Sequence, residues 1–187
     1  MKFGQHKYCH IMKYYRYLDL DYKNVIDKIS PSLLAEFSDS KSFFVPLSDQ
    51  NLLKRFPEIQ QIFDPINLQV DELALIVYNS QWHNFIHIDD PTDKSRINLP
   101  VLNCEKSQTN FYELKQGKSL KTDPIGEDIK NVFYANPQDC VLLDSFCLNQ
   151  ATALRTNVLH NVTLNSDVFF RVSLTVKFKE DIDYLLE

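Results

Sequence analysis

From Leu73 to Phe178 the chain is a succession of short apolar or alternating runs with no helical pattern between them: "LALIVYN", "FIHID", "RINLPVLN", "TNFYELK", "CVLLDSF", "TALRTNVLHNVTL" and "VFFRVSLTVKF". Runs of this length, rich in β-branched and aromatic residues and separated by turn-forming or charged segments, are strands. Strands that follow one another without crossover helices pair antiparallel, so the pattern predicts a sandwich or barrel of the jelly-roll kind. The stretch before Leu73 reads differently. Val25, Ile26, Ile29, Leu33, Leu34, Phe37, Leu52, Leu53 and Phe56 recur at helical spacing, with Ser30 before Pro31 and Ser48 marking helix starts and Pro57 and Pro65 interrupting the pattern. The expectation is one domain over 1–187, mainly β, with a helical flank at 1–68 covering an outer sheet face of a core at 69–180.

Composition removes several function classes. Three glycines in 187 residues leave no Gly-rich loop to cradle a nucleotide phosphate. A formal charge of −5 opposes general affinity for nucleic-acid backbones. Tyr8, Tyr14, Tyr15 and Tyr17, interleaved with Lys7, Lys13 and Arg16, have the texture of a stacking surface for a single strand, but a half-buried strand with a basic edge is the commoner explanation, and the acidic total charge favours it. Cys9, Cys104, Cys140 and Cys147 form no CxxC pair, which fits free thiols in a reducing compartment. The start of the chain carries Lys and His where a secretory signal needs an apolar run, and no apolar stretch is long enough to span a bilayer. A cytoplasmic protein without membrane or nucleic-acid partners is expected.

"HNFIHIDDP" at 83–91 places two histidines and two aspartates together at the end of a strand. Side chains alternate along a strand, so His87 and Asp89 share one face. In "TNVLHNVTL", His160 shares a face with Val158 and Val162. A lone imidazole on an apolar inner face needs a partner, because an unpaired buried polar group costs on the order of 1–3 kcal/mol. A metal shared with His87 and Asp89 would supply one. Two imidazoles and one carboxylate are the donor set of non-heme Fe(II) oxygenases, which leave positions open for co-substrate and dioxygen. In "VFFRVSLTVKF", Arg171, Ser173 and Thr175 alternate with Phe170, Val172 and Leu174, and a short turn after His160 would return Arg171 beside the metal-bearing strand, able to hold a carboxylate in bidentate fashion.

The order "HIDDP", then "LH" at 159–160, then "RVS" at 171–173 resembles the HxD…H…R pattern of the Fe(II)- and 2-oxoglutarate-dependent dioxygenases, over about the last hundred residues. "HIDDPTDKSRINLPVLN" also looks like the motif region of prolyl-hydroxylase-like members, whose fold is a double-stranded β-helix. The resemblance implies iron ligands at His87, Asp89 and His160, with Arg171 and Ser173 on the distal carboxylate of 2-oxoglutarate. It implies hydroxylation of a small molecule or protein side chain, with release of succinate and carbon dioxide. Pro100 and Val101 stand where prolyl hydroxylases place co-substrate tyrosines, with Asn98 as a polar substitute, so prolyl specificity is not implied.

Other readings compete. Arg171, Ser173, Thr175 and Lys177 also fit the solvated face of an amphipathic strand. His83 fits a role behind the ligands or on the surface, Trp82 fits the core, and Arg155 faces either cleft or solvent. A jelly-roll binding module that keeps the metal site without turnover is the alternative from another class. A non-redox cupin-like metal enzyme is weaker, since it uses more histidines. Polar loops at 90–95 and 115–130 would shape the entrance.

Overall fold

Antiparallel pairing is what this alternating chain adopts. The computed structural model describes residues 14–38, 44–46, 51–79, 85–89, 94–122 and 133–187. In chain order the elements are β1 (Tyr15–Tyr17), α1 (Lys23–Ser38), β2 (Phe44–Pro46), α2 (Asn51–Arg55), α3 (Glu58–Phe63), β3 (Val70–Asn79), β4 (Ile86–Ile88) and β5 (Ser95–Leu102). There follow β6 (Ser107–Leu114), β7 (Lys121–Thr122), β8 (Phe133–Ala135), β9 (Cys140–Phe146), β10 (Thr152–Arg155), β11 (His160–Leu164) and β12 (Phe170–Phe178). Among the described residues the strands form two six-stranded sheets, in the orders β1-β10-β5-β12-β3-β2 and β7-β8-β4-β11-β6-β9. Every pairing is antiparallel. Register shifts at Val172/Ser173, Lys177/Phe178 and Phe111/Tyr112 bend the strands and curl the sheets. The molecule is mainly β, and no described helix is long and apolar enough to cross a membrane.

The first sheet is buried on both faces. Val172, Leu174 and Val176 of β12 join Leu73, Leu75 and Val77 of β3 and Ile97 and Leu99 of β5 in one apolar cluster. Ile26, Ile29 and Leu33 of α1 and Ile59, Ile62 and Phe63 of α3 close the cluster from outside. The helical flank therefore does cover an outer sheet face. Burying a side chain such as Leu33 or Phe63 contributes about 1.5–3 kcal/mol. The inner faces of the two sheets meet through aromatic rings: Tyr15 stacks on Phe146 at 4.3 Å between centroids, and Tyr14 on Phe111 at 5.1 Å. The half-buried strand expected around Tyr14–Tyr17 is thus β1, whose Tyr14 and Tyr15 pack against this inner cluster.

Three expectations need correction. α1 is not divided at Ser30 and Pro31 but runs through Pro31, because its apolar face continues from Ile26 to Leu33. The hydroxyl of Ser30 donates to the carbonyl of Asp27 at 3.4 Å, the carbonyl that the missing Pro31 N–H would have served. "TALRTNVLHNVTL" is not one strand but two, β10 and β11, in different sheets. Residues 156–159 make the crossing, and the carbonyls of Thr156 and Leu159 accept from Asp89 N–H and Tyr112 N–H. β12 is not the partner of β11; it lies in the opposite sheet between β3 and β5. Ser48, His83, Trp82, most of "KYCHIMKYYRY" and much of the loops at 90–95 and 115–130 lie outside the described residues.

Candidate metal centre

His87 and His160 stand directly opposite each other on β4 and β11, which puts both side chains on one face of the second sheet. Their ring centroids are 4.6 Å apart. Asp89 lies one residue past the end of β4, and the alternation that carries His87 inward carries Asp89 to the same side. Its Oδ1 is 3.2 Å from Nε2 of His87 and 3.8 Å from Nε2 of His160. The candidate ligand atoms of the three residues all lie within 4.8 Å of one another. Both histidines are buried, while the Asp89 side chain is 35% exposed, so the cluster opens on the carboxylate side.

The imidazoles are oriented from behind. Nδ1 of His87 is 3.2 Å from the carbonyl of Phe85, and Nδ1 of His160 is 2.9 Å from the carbonyl of Val158. A carbonyl only accepts, so Nδ1 carries a proton in each ring, and Nε2 is the nitrogen turned toward Asp89. Burial lowers the pKa of His160 despite the carboxylate beside it, which keeps this ring neutral. Burial alone would raise the Asp89 carboxyl, but His160, His87 and Arg96 outweigh it and hold the group well below the usual carboxylate range. Two imidazole nitrogens and one carboxylate oxygen thus face a common point, all within 4.8 Å of one another. This donor set fits a divalent transition metal with open coordination positions.

Arg171 comes from the other sheet. It is 2% exposed, and its Nη1 donates to Ser107 Oγ and Thr109 Oγ1, both at 3.2 Å. The solvated-face reading of β12 therefore fails: Ser173 and Thr175 are 0% and 2% exposed, and Lys177 alone of that row reaches partial exposure, paired with Glu72. Arg171 reaches the site across the interior and not from a strand beside β11. Thr109 stands opposite Val162, and Phe111 opposite His160. Since two residues along a strand span roughly 7 Å and four roughly 14 Å, a guanidinium held by both Thr109 and Ser107 lies about 7–14 Å along the sheet from the His160 row.

No carboxylate pairs with Arg171 among the described residues. Its Nε, the hydroxyl of Ser173 and Oδ1 of Asn98 are all buried without a hydrogen-bond partner among the described residues. Asn98 stands opposite Thr175 and Thr152, on the inner face that Arg171 and Ser173 share. Three such atoms lie on one inner wall, where buried polar groups ordinarily have partners. Tyr78, opposite Arg171 on β3 with the guanidinium 5.8 Å from its ring centroid, has its phenol pushed well above the usual range by burial and by Asp89. Its phenol is close enough to feel the charges of both Asp89 and Arg171.

Sequence reasoning missed Tyr78, Ser107 and Thr109. The signal for the last two was present in "SQTNF", where Ser107, Thr109 and Phe111 alternate onto the inner face opposite His160. Arg155 faces neither cleft nor open solvent; it pairs with Asp183 at 3.7 Å. Cys104, Cys140 and Cys147 are free thiols, as expected.

No family model matches the chain, and neither does any curated protein. Solved structures to which it is similar include the epimerase SnoN in complex with Fe3+, alpha ketoglutarate and nogalamycin RO, at TM-score 0.49 and 12% identity over 88% of this chain and 78% of that one. AviO1 from Streptomyces viridochromogenes Tue57 is similar at TM-score 0.43 and 10% identity over 91% of each chain. Both scores lie below one half, and the reading of this site rests on its own geometry.

Proposed function

We propose that the protein is an Fe(II)- and 2-oxoglutarate-dependent dioxygenase that hydroxylates a small molecule or a protein side chain. The observation that carries this reading is Arg171, a buried guanidinium without a carboxylate partner among the described residues, facing the same interior as a His-Asp-His cluster. A buried charge left unpaired is costly, so a chain that keeps one in its interior keeps it for an anionic ligand. A structural metal site gives no reason for it. This also weighs against the binding module without turnover.

On this reading His87, Asp89 and His160 hold the iron, while Arg171 and Ser173 hold the distal carboxylate of 2-oxoglutarate. When bound, the iron and its co-substrate supply oxidation of a substrate C–H bond by dioxygen, with release of succinate and carbon dioxide. The chain supplies the rest. The carbonyls of Phe85 and Val158 fix the two imidazoles, and Ser107 and Thr109 fix one edge of the guanidinium. Phe111 and Tyr78 keep water from the space between. β3, β4, β5 and β6 with β9, β10, β11 and β12 then form a double-stranded β-helix, with β10-β5-β12-β3 facing β4-β11-β6-β9.

The test is succinate formation from 2-oxoglutarate by the Fe(II)-loaded protein under air, with and without candidate substrates. Turnover that needs both iron and dioxygen and disappears in His160→Ala is expected. A wild-type protein that binds iron but never forms succinate would favour the binding module.

A further inference from the structure

Asp89 is the metal ligand least fixed by strand pairing, since it stands beyond β4. Its backbone is held by a bond from outside its own strand: Asp89 N–H donates to the carbonyl of Thr156 at 3.2 Å, and Thr156 N–H donates to the carbonyl of Lys94 at 3.0 Å. Three segments are thus tied rung to rung. One carboxylate gathers the residues around these rungs. Asp183 Oδ1 accepts from the Ser95 hydroxyl at 2.6 Å and lies 3.7 Å from Arg155 Nη1, while Oδ2 lies 3.7 Å from Lys94 Nζ.

Asp183 is itself well anchored. Its N–H donates to Asp181 Oδ1 at 2.9 Å, and Ile182 and Leu186 are each 2% exposed within the outer apolar cluster. Lys94 is exposed and adds little, but Ser95 is buried, and the Arg155 and Asp183 side chains are 15% and 22% exposed.

We propose that Asp183 is a positioning residue for the metal ligand Asp89: by clamping Ser95 and Arg155 it holds the Lys94 and Thr156 rungs, and through them the backbone from which the Asp89 carboxylate reaches the metal. This rests on the metal reading of the His-Asp-His cluster. Asp183 touches neither metal nor substrate.

The test uses Asp183→Ala, Asp183→Asn and Leu186→Ala in the full chain, with three readouts: amide hydrogen exchange of the metal-free protein, affinity for Mn(II) alone, and Tm. In Asp183→Ala the amides of Asp89 and Thr156 exchange faster while those of β12 do not, and Mn(II) affinity falls about tenfold, as for loss of an outer partner of a ligand. Asp183→Asn keeps an acceptor for Ser95 without the charge and falls between wild type and Ala; it carries the test if the Ala variant does not fold. Leu186→Ala, which loosens the same turn, lowers Tm and leaves Mn(II) affinity unchanged. Unchanged Asp89 exchange or unchanged Mn(II) affinity on loss of the Asp183 carboxylate overturns the proposal, as does an equal affinity loss in Leu186→Ala. A wild type that takes no metal overturns the reading of the site, and this proposal with it.

Discussion

Asp89 and Arg171 separate two functions that one interior combines. Asp89 belongs to the site more than to the core, since its side chain is one-third exposed and its removal opens no large cavity. Asp89→Ala should therefore keep its Tm in the metal-free protein while losing iron affinity, as read by an Fe(II) chelator competition. Arg171 is the reverse case of a charge wholly inside. Arg171→Ala should leave metal affinity intact and weaken 2-oxoglutarate binding by about 2–5 kcal/mol. Arg171→Lys should recover part of this, because it restores charge without the two-pronged geometry. Calorimetric titration of each variant checks both outcomes. That His87, Asp89 and His160 would come together was legible from strand alternation and chain order, whereas the roles of Arg171 and Ser173 came from a resemblance in that order and belong to the proposal. Ser107 and Thr109 carried a signal in the alternation of "SQTNF" that was not used, while Tyr78 carried none, since nothing local tells a phenol on an inner face from one on an outer face.

At the scale of elements, the longer strands from β3 onward were legible, while the short β2, β7 and β8 and the pairing of the strands were not. Alternation marks a strand by its own residues, but which sheet it joins depends on where the chain crosses, and the crossing at 156–159 has no Gly or Pro to announce it. For that reason β10 and β11 read as one run. The same gap hid how Arg171 approaches the site, because β12 completes the opposite sheet. α1 shows the converse: Pro31 announces a break that a continuous apolar face overrides. Leu33, 1% exposed beneath that helix, should test the separation between flank and site. Leu33→Ala is expected to cost about 2–5 kcal/mol in urea unfolding, with unchanged metal affinity in the folded protein.

Across the whole molecule, two sheets bring together His87, Asp89 and His160 from distant parts of the sequence, and part of the interior between them is polar where an ordinary sandwich would be filled with aliphatic side chains. On the proposed reading that interior is stabilised by what binds it. With free metal at a hundredfold excess over Kd, binding should add about 2.7 kcal/mol, which for a chain of this size raises Tm by about 5–10 °C. A chelator should reverse the gain, and His160→Ala should show none. The most direct test of the account is an anaerobic titration of 2-oxoglutarate into the Fe(II) protein, followed by the visible charge-transfer band of the chelate. The account expects a saturable band in wild type, the same band at much weaker affinity in Arg171→Ala, and no band in His160→Ala. An iron-loaded wild type without a band, or equal affinity in wild type and Arg171→Ala, would contradict it.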